Sequence, residues 1–344
     1  MKKAILFIGT LIFVLSACSP EIPETTPVVT QIPTETLSPS LTSSPSPTLT
    51  PSPGPTSTFT STPAPNFSFV VTSDMSHYSA PEYYDYPNFF AALLSSVAHY
   101  GPGEFMISSG DVIPAEGADW TIDQVLGTDY PWFPIPGNHD FGRAEINFFE
   151  NYQYDINGDK EPNIINWGPE SCPRTTYSFD YLNAHFVGLN VYCDDEVPWG
   201  IDGSITDTLY DWLTADLEQT KKQHIFVFGH EPAFPRPDSD TGQMRHLGDS
   251  LDQYPQARDR FWQLLKEHNV LAYLHGHTHG YHAEKIDGVW QLDAGQSMGV
   301  RAAPSPGTFL IISIDGGQVT LRTYRGEEGP GFSFLLRDEI ILRR

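Results

Sequence analysis

Trp132-Phe133-Pro134-Ile135-Pro136-Gly137-Asn138-His139-Asp140 is a short apolar run that breaks at a proline and a glycine into three polar residues. It reads as a strand whose far end carries chemistry. The same grammar recurs on both sides of it. Phe67 to Thr72 stops at Ser73-Asp74, Phe105-Met106-Ile107 leads to Gly110-Asp111, Ile225 to Phe228 leads to Gly229-His230, and Val270 to Leu274 leads to Gly276-His277-Thr278-His279. Between these strands lie apolar residues at helical spacing: Phe89, Phe90, Leu93, Leu94 and Val97, then Leu209, Leu213 and Leu217, then Phe261, Leu264 and Leu265. Strands alternating with helices predict an α/β fold. Such folds gather ligands at the carboxyl ends of their strands, which is where the polar residues fall. Trp290 to Asp293, Thr308 to Ile314 and Val319 to Tyr324 add further strands, the last two joined by the hairpin-type turn Asp315-Gly316-Gly317.

By residue type alone, Asp74, Asp111, Asn138, His230, His277 and His279 are a mixed oxygen and imidazole set on five strand-end turns, with no thiolate among them. Such donors suit Mn, Fe, Zn or Ni better than a structural zinc finger, and two carboxylates with three imidazoles are more than one ion usually needs. A dinuclear centre is the economical reading.

Taken in order, Asp74, Gly110-Asp111, Gly137-Asn138-His139-Asp140, His230 and Gly276-His277-Thr278-His279 resemble the pattern of the calcineurin-like metallophosphoesterases, a family that includes purple acid phosphatases and cyclic-nucleotide phosphodiesterases. The resemblance spans Phe69 to His279 and implies a four-layer α/β/β/α sandwich. It also implies that Asp111 bridges two ions, that Asp74 and His279 hold the first, and that Asn138, His230 and His277 hold the second. The implied chemistry is a bridging water, acidified by two cations about 3.5 to 4 Å apart, that attacks phosphorus in line as hydroxide. His139 is then the proton donor to the leaving alkoxide, with Asp140 orienting its imidazole. One position departs from the pattern. The family places a histidine two residues after the first Asp, where this chain has Ser76, with His77 next; the tyrosine that purple acid phosphatases use instead, three residues after the bridging Asp, is here Pro114. The first ion is therefore one protein ligand short. Either His77 reaches in through a bulge, or water and Ser76 fill the gap, or the first site is weak.

The N-terminus places this chemistry in a compartment. Lys2 and Lys3, the apolar run Ala4 to Val14 and Leu15-Ser16-Ala17-Cys18 form a signal peptide over residues 1–17 whose end resembles the bacterial lipobox. Cleavage there leaves Cys18 carrying a diacylglyceryl group, which holds a protein on a membrane surface without spanning it. Residues 18–66 read as a disordered, Ser/Thr/Pro-rich stalk: from Ser19 to Asn66, 12 residues are Pro, 12 Thr and 9 Ser, with no Lys or Arg. The catalytic domain then occupies 67–344. With Cys18 lipidated, Cys172 and Cys193 remain as a pair outside the cytoplasm, either bridged, at about 3 kcal/mol on the loop-entropy model, or as two buried thiols.

Net charge excludes one class of partner. At −24, becoming −26 once Lys2 and Lys3 are removed, the chain repels a phosphate backbone and offers no nucleic-acid-binding surface. Inferred metals supply the positive charge that the side chains lack. Arg245 and Arg301 are the cations best suited to a phosphate substrate. His99, His185, His224 and His268 read as structural, and His246, His275 and His282 as near the site in sequence only. Asp155, Asn157 and Asp159 imitate a calcium loop but lack its glycine and glutamate, so they read as a solvated loop. Substrate preference rests on the loops Gly142 to Gly168 and Pro235 to Gly248, and oligomeric state is not legible. Two functions follow: a lipid-anchored extracytoplasmic hydrolase of small phosphomonoesters or phosphodiesters, or a surface-displayed binding or adhesion module whose incomplete first site has lost turnover.

Overall fold

In β1 (Asn66–Thr72) the side chains alternate between two apolar environments, Phe69 and Val71 facing one way and Val70 the other. That period-2 division repeats in β2 (Met106–Ser109) and β3 (Trp132–Ile135), where Ile107, Phe133 and Ile135 face the first environment and Met106 and Trp132 the second. These strands are parallel neighbours in a six-stranded sheet. That sheet is completed on the other side of β1 by the antiparallel strands β11 (Gly307–Asp315), β12 (Gln318–Glu327) and β13 (Ser333–Arg343). The first strand starts at Asn66, one residue earlier than its apolar run, because Asn66 pairs with Asp315. The computed structural model describes residues 65–75, 88–140, 142–153, 162–172, 174–193, 202–298, 305–327 and 333–343. The signal peptide, Cys18, the stalk, Ser76, His77, the acidic loop at 155–159 and Arg301 lie outside these described residues.

A second sheet has seven strands in the order β4-β5-β6-β7-β8-β10-β9. Its parallel centre is β6 (Ala184–Gly188), β7 (His224–Phe228), β8 (Ala272–His275) and β10 (Val289–Ala294). The antiparallel flanks are β4 (Ile164–Trp167), β5 (Tyr177–Tyr181) and β9 (Tyr281–Ile286).

Three apolar cores separate four layers. The first lies between the sheets, where Phe69, Phe105, Phe133, Phe179, Phe186 and Phe226 pack edge-on or stacked at centroid separations of 4.0 to 5.6 Å. Full burial of each such ring contributes roughly 1.5–3 kcal/mol relative to exposure. The second core puts α1 (Asn88–Tyr100), α2 (Ala115–Leu126) and α3 (Arg143–Asn151) on the outer face of the first sheet; Phe89, Phe90, Leu93, Leu94 and Val97 of α1 meet Val70 and Met106 there. A third packs α4 (Asp207–Gln219) and α5 (Pro255–Glu267) on the second sheet, with Leu209, Leu213, Phe261 and Leu265 against Val187, Val227 and Tyr273. Helix, sheet, sheet, helix is the α/β/β/α sandwich expected. Thr206 caps α4 by accepting from Leu209 N, and Pro255 opens α5 at its first turn.

Candidate metal centre

Hydrogen bonds bring the turns after β1, β2 and β3 against the turns after β7 and β8. Asp74 N donates to Gly110 O at 3.1 Å and Met75 N to Asp111 O at 2.9 Å, which locks the first two turns together. Gly276 N donates to His230 O at 3.0 Å and does the same for the last two. Across the sheets, His277 N donates to Asp74 Oδ2 at 2.9 Å and His230 Nδ1 donates to Ser109 O at 2.7 Å. Asp74, Asp111, His277 and His279 all have positive φ, between 50° and 69°. Left-handed backbone at a non-glycine residue costs on the order of 1 kcal/mol or more, and it gathers where a site needs its side chains aimed. Close approach explains two glycines: a Cβ at Gly137 would fall on Asp111 Oδ1 and N, and one at Gly276 on Ser73 Oγ and Asp74 Oδ2.

The ligand atoms converge in two groups. His230 Nε2 lies 3.2 Å from Asn138 Oδ1, 3.4 Å from Asp111 Oδ1 and 3.3 Å from His277 Nδ1. His279 Nε2 lies 3.4 Å from Asp74 Oδ1. Asp74, Asp111 and His230 each offer an atom within 4.8 Å of the others, and all three are buried. One buried atom there, Asp74 Oδ1, has no hydrogen-bond partner among the described residues. Buried polar atoms ordinarily find partners, so such an orphan in a cluster of hard and borderline donors fits a cation. Since Ser109 O takes the Nδ1 proton of His230, its Nε2 lone pair faces the centre. Electrostatics agree. Burial raises the Asp74 carboxyl, but His279, His230 and His277 outweigh it and hold the group well below the usual carboxylate range. Burial, with His230 and His246 adding to it, keeps His277 neutral, the form in which an imidazole binds metal.

His139 stands at the mouth. Its backbone N donates to Asp111 Oδ1 at 3.0 Å, its Nε2 lies 4.0 Å from Asp111 Oδ2, and its side chain is 45% exposed. Asp140 differs from the sequence reading, which had it orient the His139 imidazole. Its Oδ1 accepts from Val112 N at 2.8 Å and its Oδ2 from Gly137 N at 2.7 Å, so this buried carboxylate ties the turns after β2 and β3 together. Thr278, the unread residue between two ligand histidines, donates from Oγ1 to the buried Asp293 at 2.5 Å and accepts from Gly280 N.

Of the two candidate arginines, Arg245 is brought to the centre: its Nη1 donates to His279 Nδ1 at 2.5 Å. His246, which sequence placed near the site only by number, lies with its ring 4.0 Å from that of His277. The signal that would have found it is the pair Arg245-His246 inside a segment bounded by Gly242 and Gly248. His275 and His282 bond instead to carbonyls of Gly276 and Pro237, and His185 sits between Asp180 and Asp216, far along the chain from any ligand. Cys172 and Cys193 are brought together, their Cα atoms 5.6 Å apart, a separation a disulfide spans.

Residues 67–281 match the family model described as calcineurin-like phosphoesterase. A curated relative, a probable cyclic nucleotide phosphodiesterase of Moraxella catarrhalis (strain BBH18), is 25% identical over 197 residues, 56% of this chain and 64% of that protein. The chain therefore spans less than two thirds of that relative's length. Among solved structures, one described as PhoD superposes with a TM-score of 0.56 at 14% identity, covering 81% of this chain and 70% of the other. The Plasmodium protein GAP50, described as the anchor in the inner membrane complex, gives 0.53 at 12% identity, covering 81% and 89%. At those identities the two structures speak for the fold alone.

Proposed function

The chain belongs to the calcineurin-like phosphoesterase family, and from that premise we propose that it is a metal-dependent hydrolase of small phosphate esters. The observation that carries this is the convergence of two carboxylates, three imidazoles and one amide oxygen from five strand ends, with a buried orphan at Asp74 Oδ1. In the reading we adopt, Asn138, His230 and His277 would hold one ion and Asp74 and His279 the other, with Asp111 as a further ligand. Cations so held would supply Lewis-acid charge for the phosphoryl oxygens and would acidify a water to work near neutral pH.

The chain's own residues do the rest. Asp140 and Ser109 fix the turns and the His230 ring that point the donors inward. His139, half in solvent beside Asp111, delivers a proton to the departing alkoxide oxygen. A membrane address is the further part of the proposal: lipid at Cys18 and the stalk beyond it would display the hydrolase outside the cytoplasm, supported by the basic start, apolar run and Leu-Ser-Ala-Cys ending. Ser76, where the family has a histidine, favours the rival of a binding module without turnover. Turnover of p-nitrophenyl phosphate and bis(p-nitrophenyl) phosphate, with Mn, Fe, Zn or Ni added in turn, separates the two. We expect hydrolysis of at least one ester with at least one metal; none with any metal would leave the binding module.

A further inference from the structure

Gly242 to Gly248 forms a loop tied down at its base and exposed at Met244 and Leu247 of its tip. At the base, Asp238 is fully buried. Its Oδ1 accepts from Asp240 N and Thr241 N, and its Oδ2 from Tyr281 N at 2.8 Å, two residues beyond His279. The buried Arg325 of β12 closes on the same carboxylate, Nη2 to Oδ2 at 2.7 Å. At the tip, Gly242 and Gly248 both have positive φ and open space around them, and His246 has φ 55°. Consecutive tip residues then touch the two ligand histidines, Arg245 on the outer nitrogen of His279 and His246 on the ring of His277. On either side of this polar pair, Met244 is 42% exposed and Leu247 67% exposed.

We infer that this loop is the substrate clamp of the proposed phosphoesterase, with Arg245 binding a phosphoryl oxygen and Met244 and Leu247 packing on an apolar or aromatic ester group that does not leave. The inference rests on the phosphoesterase reading and adds to it the substrate class, phosphodiesters with an apolar non-leaving group. Charge and geometry argue for it together. A guanidinium is the cation suited to two phosphoryl oxygens, and this one is held at the rim of the centre by two imidazole nitrogens, its Nη2 3.5 Å from His246 Nε2 and its Nη1 on His279 Nδ1. The second of these is conditional: His279 turns Nε2 toward Asp74, and a neutral imidazole that gives Nε2 to a cation carries its proton on Nδ1. It then accepts nothing from Arg245, whose donors turn to an incoming oxyanion. His246, Asp249 and His277 also lie within 4.8 Å of one another, but His277 already directs Nδ1 at His230. A second cation on that ring would require an imidazolate, so we read these neighbours as loop support.

The test uses the full chain loaded with Mn, and two esters that share a leaving group, bis(p-nitrophenyl) phosphate and methyl p-nitrophenyl phosphate. Arg245→Gln should keep the metal content of the wild type, lose about 30-fold in kcat/KM on both esters, and weaken inorganic phosphate binding by about tenfold in calorimetry, with Arg245→Lys recovering part of each. Met244→Ser with Leu247→Ser should raise KM about tenfold for the aryl diester and leave the methyl ester nearly unchanged. Equal phosphate affinity in Arg245→Gln and wild type, or equal losses on both esters in the serine double variant, would overturn the clamp. If wild-type protein hydrolyses neither these esters nor p-nitrophenyl phosphate with Mn, Fe, Zn or Ni, the phosphoesterase reading fails separately, and the phosphate affinities still decide Arg245.

Discussion

His139 and Asp140 are neighbours in sequence with divided tasks. His139 faces solvent beside Asp111, whereas Asp140 spends both oxygens on the amides of Val112 and Gly137. For His139→Gln we expect metal content unchanged and kcat lowered by about 10²- to 10⁴-fold, most for esters with poor leaving groups. Metal analysis beside a leaving-group series checks this, and a loss that is flat across the series would remove the proton-donor role. Asp140→Ala leaves two buried amides without an acceptor, which costs roughly 2 kcal/mol. Urea unfolding in chelator measures that loss; an unchanged midpoint with reduced kcat would restore the imidazole-orienting role instead. The six ligand-type residues were legible in sequence because each follows an apolar run and borders a tight turn. The second task of Asp140 was not, because Gly137 is three residues away but Val112 is 28, and only the parallel pairing of β2 and β3 brings that amide within reach.

At the scale of elements, legibility follows how completely a segment is buried by its own pattern. Buried strands such as β1, β3 and β7 announce themselves, whereas β13 carries Leu335, Leu336 and Ile341 half in solvent on an edge and has no clean alternation. Short β5 and β6 join a polar cluster as well as the central apolar core. His185 of β6 places Nδ1 2.8 Å from Asp180 and Nε2 2.8 Å from Asp216 of α4, which also accepts from Ser178 and Asn166. Burial lowers the His185 pKa, but Asp216 and Asp180 outweigh it and raise the group above 6.5. Burial raises Asp216, but His185 and Asn166 outweigh it and bring the group below 3.8. The histidine's stabilisation is complete below its unfolded value of 6.5 and fades as pH rises through the raised folded value. The carboxylate's is complete above 3.8 and fades as pH falls through the lowered one. Between 3.8 and 6.5 both are present. His185→Gln should therefore cost more stability near about pH 5.5 than near about pH 8.5, read as the difference in urea midpoints from wild type. An equal cost at both would show that the cluster acts by packing alone.

Over the whole molecule, an acidic chain of net charge −24 folds so that three histidines and an asparagine meet two carboxylates at one end of a double sheet. The sandwich follows from alternation: nearly every interior strand divides its side chains between the central core and an outer helical core, and only four layers satisfy both faces. The Gly242 to Gly248 loop is marked in sequence by its two glycines and its Arg245-His246 pair, but its seat over the centre is not, since its contacts join residues more than 30 apart in the chain. An ion pair bound only by the folded state also stabilises it by mass action, so chelation should lower the melting temperature reversibly. The central claim is that Asp111 lies between two ions and that they carry the chemistry. Metal stoichiometry and bis(p-nitrophenyl) phosphate turnover, measured side by side on wild type and Asp111→Asn, address it most directly. The account predicts close to two ions and turnover in the wild type, with both lost in the variant; a fully active Asp111→Asn protein, or one with unchanged metal content, would contradict it.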